Sequence, residues 1–312
     1  MLVVSYIKGI PPKNKNPEKP AILKKFIAGV NNLGLDNGQI CYLDSPMMCD
    51  VAVLQGFVHQ RSKNIPHLNL RKEVLNLQQF NNKRAIIIDS NLFLYRDPGN
   101  TKKYLRYSYD GIFPTTGEYC NSKVDPLRWE KIKKDLDFDL QPWKINQGRY
   151  ILLCAQRDGG WSMRGMRVTD WVRQTVSNIR KLTSMPIHVR MHPGDGQSQQ
   201  HIRRLKNIDN LVFVDHNKTT LLDNLQEAHS VVVFNSSPSV ASVIEGVPTF
   251  ITDQAPRNCQ AYGVAHTDLN MLLNPIEFDR SEWIMKMAQM HWNQDDLVSG
   301  ECWRWMRQWA TK

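Results

Sequence analysis

Short apolar runs alternate with amphipathic stretches along almost the whole chain. In the first half, LVVSYI reads as a strand and PAILKKFIAGVNNLG as a helix closed by Gly34. QICYL, VAVLQGFV and RAIIID follow as strands, with a helix around LRKEVLNLQQF before the last of them. Runs of this length separated by helix-period segments predict βαβ units and a mostly parallel sheet. Around residues 123–147 the texture changes. KVDPLRWEKIKKDLDFDLQPWKINQG is charged, helical at first, and punctuated by Pro126, Pro142 and Gly148, so it reads as a connection between domains.

The alternation then restarts. YILLCA, PIHVRM, LVFVD, SVVVF and TFIT read as strands, and TDWVRQTVSNIRKL, LLDNLQEA and SVASVIEG as helices. From Ser281 onward the chain reads as helix, with Trp283, Trp292, Trp303, Trp305 and Trp309 packed over a large apolar surface. The pattern predicts an α/β protein with domains at 1–145 and 146–280, and terminal helices at 281–312 bridging between them.

Composition narrows this. The 312 residues are enough for two ordinary domains, and 41% are hydrophobic, enough for real cores. No apolar run is long enough to span a membrane, and the N-terminal run is too short for a signal peptide. The six cysteines (Cys41, Cys49, Cys120, Cys154, Cys259 and Cys302) are dispersed, without a C-x-x-C pair, which suits free thiols in a reducing compartment. A cytoplasmic protein is expected, in the host cytoplasm if the source is viral. The net charge of +10, from 40 Lys+Arg against 30 Asp+Glu, fits a polyanionic partner or simple solubility.

Three segments of the second half carry candidate chemistry. In IHVRMHPGD, residues 187–195, strand alternation puts His188, Arg190 and His192 on one face and runs them into the Pro193-Gly194 turn. Ligands of open α/β sheets bind at such carboxyl ends. An anion site is one reading; the solvent face of an edge strand, or a structural histidine, is the other. A zinc site at His188 and His192 lacks a third ligand in this run. In VVVFNSSPSVASVIEGVPTF, residues 231–250, a strand ends at Asn235, and Ser236 or Ser237 can cap a helix with Pro238 in its first turn. Such a turn offers backbone N–H groups to a diphosphate, and Glu245 lies two turns along. LLCAQRDGGWSMRG, residues 152–165, sets Arg157, Gly160, Ser162 and Arg164 after a strand, in neither a dinucleotide fingerprint nor a P-loop pattern.

In the first half, Asp89 in IIIDSNLF and Asp110 in YLRYSYDGIFPTTGEY are the candidate general bases, with His59, His67 and Glu118 in reserve. Turn-forming aspartates would look the same. The basic stretches KNKNPEK, RSKN and NTKK, with Tyr104, Tyr107 and Tyr109, would suit backbone contact and base stacking on a nucleic acid; solvated loops and core tyrosines are the other reading.

The second half resembles the donor domain of GT-B glycosyltransferases. The residues that carry the resemblance are the H-x-R-x-H-P-x-D run from His188 to Asp195 and the N-S-S-P…I-E-G-V-P run from Asn235 to Pro248. Capsular-polysaccharide transferases of that fold are similar in their basic His-Pro element, Ser-rich turn, Glu-bearing helix and Gly-x-Pro. The resemblance spans about residues 150–260 and implies two Rossmann-like domains facing a cleft, with donor on the second, acceptor on the first and a terminal helix crossing back. It implies that Ser236 and Ser237 hold a diphosphate, that Arg157 and Arg190 neutralise it, and that Glu245 binds the ribose hydroxyls. Gly160, Ser162 and His192, read from the loop and strand end themselves, complete the expected donor site. The whole chain, with IDSNLFLY, LRYSYDGIFPTTGEY and QRDGGWSM, also resembles glycosyltransferases of tailed phages that act on hydroxymethylated pyrimidines in DNA.

The expected activity is therefore hexosyl or pentosyl transfer from a nucleoside-diphosphate sugar, UDP-linked, to a hydroxyl group. The expected acceptor is a hydroxymethylated or already glycosylated pyrimidine in double-stranded DNA. A surface polysaccharide or lipid-linked glycan is the alternative acceptor, and a non-enzymatic basic nucleic-acid-binding protein the second alternative. A helix N-terminus and two arginines can stabilise the leaving diphosphate, so no divalent metal is expected to be essential. Asp135-Leu-Asp137-Phe-Asp139 resembles a metal-binding Asp-x-Asp in letters only, since it follows Lys133-Lys134 in the connector.

Overall fold

The computed structural model describes residues 1–11, 18–59 and 64–311. In chain order the elements are β1 (Leu2–Tyr6), α1 (Glu18–Asn32), β2 (Asn37–Cys41), β3 (Val51–Gln55), α2 (Pro66–Phe80), β4 (Arg84–Asp89), β5 (Leu105–Tyr109) and α3 (Pro126–Leu136). Then follow β6 (Tyr150–Cys154), α4 (Val168–Arg180), β7 (Ile187–Arg190), α5 (Ser198–Leu205), β8 (Leu211–Val214), α6 (Leu221–Gln226), β9 (Ala228–Val233), α7 (Pro238–Ile244) and β10 (Thr249–Ile251). The chain ends in α8 (Ser281–Gln289), β11 (His291–Trp292), α9 (Gln294–Val298) and α10 (Glu301–Met306). Two compact units result: Met1–Asn91 with Gly99–Asp135 and Trp283–Lys312, and Leu92–Pro98 with Leu136–Glu282. No helix among the described residues is long and apolar enough to cross a membrane.

The first unit is built on a six-stranded sheet of order β11-β5-β4-β3-β1-β2. The strands from β2 to β4 are parallel, whereas β5 runs antiparallel to β4 and β11 antiparallel to β5. Pleating divides RAIIID between two cores. Ile86 and Ile88 join Leu23, Phe26 and Val30 of α1, while Ala85 and Ile87 join Leu70 and Val74 of α2. Burial on both faces is why the run is apolar without interruption.

Two features of this unit depart from the sequence reading. The segment LRYSY is a strand, and Tyr104, Tyr107 and Tyr109 are 0%, 1% and 0% exposed, so none offers a ring for base stacking. The terminal segment is not helix throughout, because β11 interrupts it and pairs with β5, covering a strand edge that would otherwise stay unpaired. Trp292 and Trp303 are buried in the core beneath α1, and Trp305 and Trp309 pack against it. Of the basic stretches, residues 13–17 and 61–63 lie outside the described residues.

The second unit carries a five-stranded parallel sheet of order β10-β9-β6-β7-β8. From β6 the chain winds outward through β7 to β8, then returns to build β9 and β10 on the other side of β6. The β6/β9 boundary is therefore the topological switch point, where open α/β sheets bind ligands. Trp171, Val172, Val176 and Ile179 of α4 cover one face together with Ile151, Leu153, Val189 and Phe234.

Residues 136–147, read above as a connection, are part of this unit. The Gln141 and Lys144 N–H groups donate to the Ile244 and Gly246 carbonyls at 2.9 and 2.7 Å. The Arg280 guanidinium donates to the Val243 and Gln141 carbonyls at 2.6 and 2.7 Å. These bonds satisfy the carboxyl end of α7. Residues 92–98, which the sequence reading left in the first domain, also pack here.

Candidate functional site

The loops after β6, β7 and β9 leave neighbouring strand ends and are joined by hydrogen bonds. In the β6 loop, Gln156 is buried; its Oε1 accepts the Asn235 N–H at 3.1 Å and its Nε2 donates to Ser162 Oγ at 3.1 Å. Asn235 donates from Nδ2 to Asp253 Oδ2 at 2.7 Å and to the Ser162 carbonyl at 3.4 Å. On its other side the same loop is tied to the β7 turn, where the Asp158 N–H donates to Asp195 Oδ2 at 3.2 Å. Asp158 Oδ1 accepts the Val168 N–H at the start of α4, and buried His201 lies 3.8 Å from Asp158 and 3.5 Å from Asp195.

This scaffold presents a basic edge. Arg157 is exposed, and its guanidinium lies against Gly194: a Cβ there would sit 2.4 Å from Nη2 and 3.2 Å from His192 Cε1. His192 Nδ1 accepts the Gly194 N–H at 2.9 Å, leaving Nε2 as the donor nitrogen of the neutral ring. Burial, with the Arg157 charge beside it, lowers the His192 pKa. Gly160 stands inside the same loop, its carbonyl accepting the Met163 N–H at 3.0 Å.

The third part is the turn after β9. Ser236 Oγ is buried and has no hydrogen-bond partner among the described residues. Its carbonyl accepts from the N–H and the hydroxyl of Ser239 at 3.1 and 2.7 Å. Ser237 is exposed, caps α7 through its backbone and makes no side-chain cap bond. A buried hydroxyl without a partner is a costly arrangement in a folded protein and points to a missing acceptor or donor. A cavity of about 430 Å³ opens beside Asp253, lined by Met163, Arg164, Trp171, Phe234 and Thr252.

Other expected donor residues are engaged differently. Arg190 donates from Nη1 to Asn224 Oδ1 at 2.6 Å and to the Thr219 carbonyl at 3.0 Å, which ties down the loop before α6, and burial lowers its pKa. His188 stacks on Tyr150 with centroids 3.7 Å apart and planes 12° apart. Glu245 is 4% exposed, and Oε1 accepts from the Tyr95 hydroxyl at 2.8 Å and from Arg96 Nη2 at 2.6 Å. Sequence reasoning missed Tyr95 and Arg96, because nothing in IDSNLFLY marks a segment that folds with a helix 150 residues later.

The two candidate bases are both ion-paired. Asp89 stands opposite Arg106 across the β4–β5 ladder, and the buried Arg106 guanidinium binds its carboxylate. Asp110, at a φ of 64°, accepts Arg84 Nε and the Ala85 N–H, each at 2.9 Å. These contacts close the sheet corner and make Asp110 a turn residue as well as a candidate base. Asp110 and His59 line one cavity of about 720 Å³, with Phe57, Lys72, Asn76 and Lys83. His67 lies half-buried on α2, and Glu118 accepts the Cys120 N–H at 2.7 Å.

The chain matches no family model, and no curated protein matches it in sequence. Among solved structures it is similar to the beta Kdo 2,4 transferase of Thermosulfurimonas dismutans KpsC, with a TM-score of 0.56 and 13% identity over 92% of this chain and 90% of that one. It is likewise similar to the beta Kdo 2,7 transferase of the same KpsC, with a TM-score of 0.52 and 12% identity over 97% of this chain and 99% of that one. At such identities the likeness is one of fold. The fold is GT-B, two Rossmann-like α/β units.

Proposed function

We propose that the protein is a glycosyltransferase whose second unit binds a nucleotide-sugar donor at the ends of β6, β7 and β9. The observation that carries this reading is the partnerless Ser236 hydroxyl in a turn at the switch point, joined through Asn235, Gln156 and Asp158 to the loop that holds Arg157 against Gly194. A phosphate there would accept from Ser236 and Ser237 and be neutralised by Arg157, with His192 Nε2 as a further donor. As the sugar leaves, charge builds on the phosphate, and donors already oriented by Gln156, Asn235 and Asp195 need no reorganisation to meet it. The adjoining cavity is of a size for a nucleoside. UDP is the nucleotide proposed for this donor.

For the acceptor, the proposal is a glycan hydroxyl, supported by the likeness in fold to two transferases named for Kdo transfer. The acceptor is assigned to the first unit, with the cavity beside His59 and Asp110 as its place. A hydroxymethylated pyrimidine in double-stranded DNA is the second reading, favoured by the net charge of +10. All six cysteines are buried and unpaired, which fits the reducing cytoplasm. The test is transfer of labelled sugar from UDP-, CDP- and GDP-linked donors to oligosaccharides or to hydroxymethylated DNA. Transfer to an oligosaccharide supports the first acceptor and transfer to DNA the second; no transfer with any donor to either contradicts the activity.

A further inference from the structure

We propose that a hollow at the β11 edge of the first sheet binds one neutral sugar residue, apart from the donor and acceptor places assigned above. The hollow measures about 250 Å³ and is walled by the start of α3, the end of α8, β11 and α10. Clefts that take drug-sized molecules run from roughly 300 to 1,000 Å³, so a single ring is the fitting occupant. Gln289 is the decisive residue. It is 0% exposed, and its Oε1 accepts the Asp125 N–H at 2.8 Å, which settles the orientation of the amide. Its Nε2, on the same hollow, has no hydrogen-bond partner among the described residues. The same holds for Nε of Arg128, a lining residue that is 6% exposed. Two buried N–H donors without acceptors beside one hollow call for a ligand that brings oxygen atoms.

Charge decides which kind of oxygen. Asp125 and Glu301 face Arg128 and Arg304 in the lining, and Asp296 behind them is shared by Arg128 at 3.1 Å and Lys131 at 2.5 Å. Signs so balanced give no field that favours an anion. Carboxylate acceptors beside amide and guanidinium donors suit hydroxyl groups, which both donate and accept. Trp305 supplies the apolar part. It is half-buried, and its indole is fixed by Nε1 donating to the Cys120 carbonyl at 2.8 Å. An aromatic face is negative and attracts C–H groups, so a ring with hydroxyls at its rim and C–H bonds on its faces matches both parts. The walls are firm, since the Arg128 guanidinium lies 3.9 Å over the buried Trp292 ring.

The test is a sugar titration of the full chain with labelled indole nitrogens, following the NMR signal of Trp305 Nε1–H, which Trp305→Phe identifies. The probes are glucose, galactose, mannose and N-acetylglucosamine, with glucuronate as the anionic comparison. At least one neutral sugar should move that signal, with an affinity of about 1 mM, the scale of a few hydrogen bonds and one ring contact. Gln289→Glu keeps the oxygen that serves Asp125 but removes the donor, and should weaken binding about tenfold. Arg304→Ala changes only the exposed rim, should weaken binding severalfold, and carries the comparison if Gln289→Glu does not fold. No response to any neutral sugar overturns the inference, as does unchanged affinity in the variants or a response to glucuronate alone. Nucleotide affinity should stay the same in both variants, so the donor site stands or falls separately.

Discussion

The Arg157 guanidinium fills the space in front of Gly194 so closely that a Cβ there would stand 2.4 Å from Nη2. Because that atom is the end of a flexible side chain, Gly194→Ala should displace Arg157 without straining the backbone. Unfolding should shift by no more than about 0.5 kcal/mol. Nucleotide affinity should fall about tenfold, matching Arg157→Ala. Melting curves and calorimetry on the two variants check this, and a Gly194→Ala protein that binds like the wild type would place the ligand elsewhere.

Gly246 gives the opposite expectation. Its φ is 71°, and a Cβ would meet the Pro142 carbonyl oxygen at 1.9 Å, a backbone atom next to the Gln141 carbonyl that Arg280 holds. Gly246→Ala should cost about 3 kcal/mol or more, combining a left-handed backbone with a clash that cannot relax cheaply. Gly159, with a φ of 67° but nothing within 4 Å, is the control, and Gly159→Ala should cost only about 1 kcal/mol. Denaturant unfolding of both proteins measures the difference.

Asp89 offers a way to separate structure from chemistry. Removing its carboxylate in Asp89→Ala leaves Arg106 buried without its counter-ion and should destabilise by about 3 kcal/mol. Adding Arg106→Met should recover most of that loss. A double-mutant cycle in urea reads the coupling directly. If Asp89→Asn instead kept full stability and lost sugar transfer, Asp89 would be acting as a base.

Acid should weaken the first unit through His291. This ring is completely buried, and burial pushes its pKa down to about 3 while Nδ1 lies 2.6 Å from the Met287 carbonyl. The unfolded chain takes up a proton near pH 6.5 and the folded one does not, so stability is intact above that pH and falls as pH drops toward 3. The loss should be roughly 2 kcal/mol at pH 5 from this group. His291→Gln should reduce the slope of stability against pH between 5 and 6.5 by about one proton, measured by denaturant midpoints across that range.

The second sheet was legible because its central strands β6 and β9 are buried on both faces, so YILLCA and SVVVF stand out as unbroken apolar runs between amphipathic helices. The first sheet was legible only as far as β4. LRYSY hid because a strand with an arginine and a serine among tyrosines has no apolar alternation, and β11 is two residues long. For the candidate site, small and charged residues at strand ends pointed to Arg157, His192 and Ser236 as carriers. Which of those groups already have protein partners depends on folding, since Arg190 reads like Arg157 in sequence yet binds Asn224. The aromatic strap carrying Tyr95 and Arg96 was invisible, because contacts across 150 residues leave no periodicity.

The most direct measurement is nucleotide calorimetry on Ser236→Ala beside the wild type, with the melting temperature of each. The Ser236 hydroxyl is buried and bonds to no other group among the described residues, so its loss should leave the melting temperature unchanged. A donor site at Ser236 predicts that the wild type binds a nucleoside phosphate and that Ser236→Ala binds it about tenfold more weakly. Equal affinity in the two proteins would contradict it, as would a wild type that binds no nucleoside phosphate at all.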